Sequence, residues 1–153
     1  MNIAFFTIPK VEVKYLYSDM TVRQALEKMH NSGFTAIPVL DRDGHYVGTL
    51  SEGDLLWCIV KGEGGEPHTL AIEYLETISL KDVKYNRLNT PVPITASIED
   101  LIMRAMQTNF VPIVDDRNLF IGIVTRRAII KHFYDKNIAS EEPAEIRQEA
   151  VFR

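Results

Sequence analysis

The chain repeats itself, and a repeated unit of about half the length restricts the fold to two copies of one small motif. Thr21–Met29 carries Val22, Ala25, Leu26 and Met29, and Ser97–Ala105 carries Ile98, Leu101, Ile102 and Ala105. Both have the i, i+3, i+4, i+7 stripe of an amphipathic helix. Each opens on a capping signal, Thr21 with Gln24 and Ser97 with Asp100. A β-prone run follows each helix, Thr35–Asp41 and Phe110–Asp115, then a polar turn, Asp41–His45 with Gly44 or Asp115–Asn118. A second run, Tyr46–Leu50 or Phe120–Val124, leads into a second helix, Asp54–Lys61 or Arg127–Tyr134. Pro38 and Pro112, Gly48 and Gly122, and Ser51 and Thr125 all stand 74 positions apart, whereas the helix stripes stand 76 apart. The second copy has therefore lost two residues between its first helix and its strand.

The order strand, helix, strand, strand, helix runs twice, with Val11–Leu16 and Val92–Thr95 as lead strands. This predicts an α/β fold of the α+β type, two tandem β-α-β-β-α repeats packed through their sheets with pseudo-twofold symmetry. The repeats are expected at residues 8–61 and 83–134. A linker, 62–82, joins them, with a Gly-rich turn at Gly62–Pro67 and a short helix over Leu70–Leu80. A polar tail, 135–153, follows, and Pro143 suits the first turn of a surface helix over Glu141–Ala150. One copy cannot bury its sheet face alone. Two copies share a core and leave two equivalent clefts between them, suited to small ligands.

Composition narrows the function. An apolar fraction of 46% and a charged fraction of 25% are ordinary globular values. The formal charge of −4 argues against a general phosphate-backbone binder, and no aromatic stacking row supports nucleic-acid binding. Cys58 is the one cysteine, which excludes an intrachain disulfide and a cysteine zinc site. It follows Trp57 in an apolar helix and reads as a buried hydrophobe. The four histidines have no metal-ligand spacing, so no metal or catalytic residue is assigned. Met1–Pro9 is short and lacks a basic start, and no run approaches the roughly 18 apolar residues of a membrane span. A cytoplasmic protein without membrane partners is expected.

The strand-to-helix junctions carry the chemistry. In Val47–Asp54 the hydroxyl of Ser51 and the carboxylate of Asp54 stand three residues apart where a helix begins. A carboxylate so placed accepts two hydrogen bonds from the vicinal hydroxyls of a ribose, and free N–H groups at a helix start suit phosphate. The same residues equally serve as an N-cap and a partner for the helix dipole. The second junction, Ile121–Ala128, keeps Gly122 and Thr125 but has Ala128 where the first copy has Asp54. It gains Arg126 and Arg127, with Lys131 a turn later. Two guanidiniums at a helix start oppose its dipole, which points to an anion nearby; two solvated arginines paired with carboxylates are the alternative.

Together these features resemble the tandem pair of cystathionine-β-synthase (CBS) domains called a Bateman module, over roughly residues 8–134. The carriers are Gly33–Asp41, the octet ending in Asp54, and their second-copy counterparts. The resemblance implies an adenine nucleotide (AMP, ADP, ATP or cyclic di-AMP) as regulatory ligand, with no cofactor. It places ribose on Ser51 and Asp54, and the adenine edge on the backbone of Thr35, Ala36 and Ile37. Pro38, Val111 and Thr125 are the further lining positions. A narrower likeness, to stand-alone CBS pairs that bind cyclic di-AMP, rests on Lys10-Val11, Gly33–Pro38 and Thr125–Arg127 with Lys131. It implies that Lys10, Arg126 and Arg127 meet phosphate. The likeness to Bateman modules as a whole implies a homodimer formed near Leu55, Leu56, Ile59, Ile129 and Ile130, with signalling to an unidentified effector protein or through self-association. The competing reading is a nucleotide-processing enzyme with Asp54 as base and the arginines as clamp, but no nucleophile, base and orienter can be assembled.

Overall fold

A computed structural model of the chain describes residues 2–61, 72–84 and 89–141. The Gly62–Pro67 turn and the tail helix beyond Glu141 lie outside them. In the first half come β1 (Ile8–Pro9), β2 (Leu16–Tyr17), α1 (Val22–Ser32), β3 (Ala36–Leu40), β4 (Tyr46–Ser51) and α2 (Glu52–Lys61). After a short α3 (Ile72–Leu75) the motif recurs as β5 (Val92–Pro93), α4 (Ile98–Ala105), β6 (Phe110–Val114), β7 (Phe120–Thr125) and α5 (Arg126–Glu141). The fold is mixed α/β with two sheets, ordered β2-β3-β4 and β1-β7-β6-β5. In each, a lead strand runs parallel to the middle strand, which pairs antiparallel with the last. No described helix is long and apolar enough to cross a membrane.

The helices begin where their caps stand. Thr21 and Gln24 form a reciprocal capping box on α1, and Ser97 Oγ accepts from the Asp100 amide at 3.1 Å on α4. The ends differ. α1 stops at Gly33 in the left-handed region (φ 72°), whose amide donates to Met29 O. α4 ends without such a glycine, at Met106 in the right-handed region.

Among the described residues, three apolar clusters hold the halves. Leu16, Val22, Ala25, Met29, Ile37, Val39, Leu50 and Leu55 pack β2, β3 and β4 under α1 and α2. Val92, Leu101, Ala105, Val111, Ile113, Val124 and Ile129 do the same in the second repeat. Leu40, Tyr46, Val114 and Phe120 join the two sheets, so the core shared between repeats is the smallest of the three. The two hairpin turns meet there: Phe120 N donates to Gly44 O at 2.9 Å. The burial of Leu55 and Ile129 corrects their assignment to an interface, while Leu56 and Ile130 stay exposed. Burial raises the pKa of the half-buried Cys58 thiol, against a reactive thiolate.

The sequence and the structure differ at the lead strand. Val11–Leu16 is not one strand. Pro9, with φ −66°, opens a 3-10 turn over Lys10–Glu12, closed by Val13 N donating to Lys10 O. Before the turn, β1 pairs antiparallel with β7 of the other repeat, Ile8 opposite Ile123 and Pro9 opposite Gly122; after it, β2 joins its own sheet. The segment must turn because it serves both sheets. Of the expected helix over Leu70–Leu80, the described residues, from 72 on, form α3 followed by a 3-10 turn at Leu80–Asp82, and residues 70 and 71 lie outside the description. Leu75, Leu80 and Val83 pack into the first repeat's core.

Candidate functional site

An open cleft of about 300 Å³ lies between the repeats. Its walls are the lead segment (Ile8, Glu12, Val13, Lys14), the start of β3 (Phe34, Thr35, Ala36, Pro38), the start of β6 (Asn109, Phe110) and the end of β7 (Ile123, Thr125). The crossing of β1 to the second sheet supplies the first wall. Gly122 permits it: a Cβ there would overlap the carbonyl oxygen of Ile8. Strand alternation sorts the rest. Ala36 and Pro38 face the cleft, whereas Ile37 and Val111 are fully buried in the helix-side cores. The lining is mainly apolar with a few polar groups, the composition of a small-molecule site.

Of the residues singled out in the sequence, Thr35, Ala36, Pro38 and Thr125 line this cleft. The 3-10 turn aims Lys10 and Val11 elsewhere. Lys10 Nζ sits 5.4 Å from the Tyr15 ring centroid and Val11 is 92% exposed, while Glu12, Val13 and Lys14 reach the wall in their place. Ser51 and Asp54 are bonded to one another. Asp54 Oδ2 accepts from the Ser51 amide and hydroxyl, both at 2.8 Å, and Ser51 Oγ accepts from the Asp54 amide at 3.2 Å. This is a capping box on α2. In the second repeat Thr125 Oγ1 accepts from Ala128 N at 3.1 Å, and no carboxylate answers.

The arginine pair separates. Arg126 Nε donates to Ala105 O at 2.7 Å and Nη2 to Met106 O at 3.4 Å, so its guanidinium caps the end of α4, where the dipole favours a cation. Opposition to the α5 dipole therefore needs no anion at this residue. Arg127 is exposed and has no hydrogen-bond or ion-pair partner among the described residues. Lys131 Nζ pairs with Asp135 at 2.8 Å along α5.

The counterpart side of the pseudo-twofold axis is built differently. Asn89, 76 positions after Val13, is buried and donates to Thr49 Oγ1 at 3.1 Å and Phe110 O at 3.3 Å. Tyr46 Oη donates to Asn89 O at 2.6 Å. Thr49 and Phe110 are the equivalents, at the 74-residue offset, of Ile123 and Ala36 in the open cleft. The Asn89 amide and the Thr49 hydroxyl thus stand, hydrogen-bonded to one another, where the open cleft has the apolar Val13 and Ile123. No residue type alone signals Asn89, which the sequence reading missed; its 76-residue offset from Val13 could have found it.

Ligand atoms of Asp41, Asp43 and His45 lie within 4.8 Å of one another. The arrangement is a hairpin anchor: Asp41 Oδ1 accepts from the amides of Asp43 and His45, each at 2.9 Å, and Oδ2 lies 3.0 Å from His45 Nδ1.

Comparison with known proteins agrees with this architecture. The family model described as CBS domain matches residues 7–61 and 78–135. Inosine-5'-monophosphate dehydrogenase of Aquifex aeolicus is 26% identical over 129 residues, 84% of this chain, which spans only 24% of that enzyme's length. Cyclic di-AMP receptor B of Bacillus subtilis is 27% identical over 135 residues, 88% of this chain and 87% of the receptor. The crystal structure of CbpB in complex with c-di-AMP superposes with a TM-score of 0.81 at 22% identity, covering 93% of this chain and 91% of that one.

Proposed function

The chain belongs to the CBS-domain family, and from that premise we propose that it is a non-catalytic sensor whose open cleft binds an adenine nucleotide. Within that class a cyclic dinucleotide, cyclic di-AMP, fits best. One observation carries the finer reading: the junction beside the cleft pairs Thr125 with Ala128 and Arg127, not with a carboxylate. A carboxylate clamp is suited to a ribose with two adjacent free hydroxyls. In a 3′,5′-linked cyclic dinucleotide the 3′ oxygen is esterified, so no adjacent pair remains to be clamped. Its phosphodiesters suit an unpartnered guanidinium. The Bacillus receptor named for cyclic di-AMP and the CbpB complex support the same ligand.

The apolar walls would hold one base, with Thr35 and Asn109 at its polar edge and Arg127 at the phosphates outside. Regulation requires the ligand to favour one arrangement of the module over another. The output surface in this reading is the exposed apolar set Leu56, Trp57 and Val60 on α2 with Ile130 and Tyr134 on α5. Self-association into a homodimer or docking of an effector would use it.

Isothermal titration with AMP, ATP and cyclic di-AMP at one salt concentration tests the reading. Saturable binding with preference for cyclic di-AMP is expected. Tighter binding of AMP or ATP would overturn the finer assignment, and no binding at all would overturn the nucleotide reading. Arg127→Ala should weaken cyclic di-AMP by roughly tenfold or more, the loss of one charge-assisted contact, and leave adenosine unchanged. Turnover of nucleotide with magnesium present would replace the sensor by an enzyme.

A further inference from the structure

The two repeats end their first helices by different means, and the difference reaches the cleft. α1 is closed by Gly33 in the left-handed conformation. The second copy lacks two residues there, and Gln107, Thr108 and Asn109 provide no glycine. The turn itself serves Arg104 O, through Gln107 N at 3.0 Å and Thr108 Oγ1 at 3.3 Å, which leaves the carbonyls of Ala105 and Met106 to be met from outside it. Arg126 meets them, at 2.7 Å to Ala105 O and 3.4 Å to Met106 O. Its counterpart in the first repeat is Glu52, whose side-chain carboxylate has no donor to offer, at a place where Gly33 has already closed the helix.

The same residue touches the cleft rim through its backbone. Arg126 N donates to Asn109 O at 2.9 Å, as Glu52 N does to Thr35 O in the first repeat. Asn109 and Phe110 line the cleft, and Thr125, the residue before Arg126, lines it from β7. Arg126 therefore grips residues 105–109 at both ends, side chain on the helix terminus and amide on the rim. Thr108 Oγ1 adds a local bond, donating to Phe110 O at 2.9 Å.

We infer that Arg126 is a positioning residue for the cleft: by capping α4 it sets Asn109 and Phe110 at the rim, and it does not meet the ligand's phosphate. The two adjacent arginines thus divide two tasks. Arg126 orders the wall and Arg127 is left for the anion. The inference rests on the cleft being the nucleotide site, but its structural half stands on its own.

The test compares Arg126→Gln, Arg126→Lys and Arg127→Gln by amide hydrogen exchange over residues 106–110 and by titration with adenosine and with cyclic di-AMP. Arg126→Gln should raise exchange there at least tenfold and weaken both ligands by the same factor, because both depend on the wall. Arg126→Lys, which reaches one carbonyl at a time, should fall between the variant and wild type. Arg127→Gln should leave exchange unchanged and weaken cyclic di-AMP alone. Loss confined to cyclic di-AMP in Arg126→Gln, with unaltered exchange, would overturn the inference by making Arg126 a phosphate contact. Raised exchange with adenosine affinity unchanged would overturn it too, leaving Arg126 with a role in stability alone. If the wild type binds neither ligand, the nucleotide reading fails, and unchanged exchange in Arg126→Gln would then sink the structural half separately.

Discussion

The carboxylate of Asp54 accepts from both the amide and the hydroxyl of Ser51, at 2.8 Å each. From the sequence this pair had two readings, a ribose clamp and a helix cap, and the geometry is that of the cap. Asp54 and Ser51 also lie outside the lining of the open cleft. Asp54→Ala should therefore cost about 0.5–2 kcal/mol of stability, the usual range for a lost N-terminal cap, and leave affinity in the open cleft unchanged. Urea unfolding and nucleotide titration of the same variant separate the readings. A selective loss of ribose-bearing ligand at unchanged stability would restore the clamp.

Gly122 is the seat of the lead segment. A Cβ at this position would overlap Ile8 O and crowd Thr7 Cγ2, and backbone cannot swing aside as a side-chain tip can. Gly122→Ala should push β1 off β7, at about 1–3 kcal/mol or more by analogy with overpacked cores. It should also displace Ile8 and the wall that continues through Glu12, Val13 and Lys14. The checks are the urea midpoint and exchange of amides along residues 3–14. An unchanged midpoint with slow exchange would show that β1 is not held by this contact. Gly33→Ala provides a contrast: nothing crowds that site, so its penalty is the left-handed φ of 72° alone.

Much of this architecture was legible because its causes are local. The apolar stripes of Thr21–Met29 and Ser97–Ala105 gave α1 and α4, and Thr21 with Gln24 marked a cap that forms as read. Gly44 (φ 92°) and Asn118 (φ 61°) sit in the polar turns the composition picked out. The crossing of β1 to β7 was hidden, since its partner lies more than a hundred residues away and two-residue strands carry no periodic signal. That crossing decides which lead-segment residues reach the cleft, so Ile8, Glu12, Val13 and Lys14 line it and Lys10 and Val11 do not. Arg126 was readable in principle. The two-residue loss was visible, and so was the absence of a glycine after α4, but its effect on a side chain 20 positions later is a tertiary matter.

The hairpin anchors set the behaviour in acid. Asp115 Oδ1 accepts from Leu119 N at 2.9 Å and Arg117 N at 2.8 Å, and these bonds, the Leu119 amide foremost, hold its carboxyl below the ordinary range against the opposing effect of burial. In Asp41 desolvation pushes upward most, yet the amide and imidazole of His45 together with the Asp43 amide leave the net shift downward. A carboxylate with a depressed folded pKa contributes stability that is fully present above its unfolded value, near 4, and is lost as pH falls through the folded one. Stability should thus hold at neutral pH and decline from roughly pH 4 downward, where both turns protonate. The two turns meet through Phe120 N and Gly44 O, so this loss falls on the seam between the repeats. The double variant Asp41→Asn/Asp115→Asn keeps a side-chain oxygen for the turn amides but cannot titrate. Its urea midpoint should decline less steeply with acid than that of the wild type. Parallel profiles would mean that the anchors contribute nothing to the acid response, leaving it to other carboxylates such as Asp19, which Arg42 holds low.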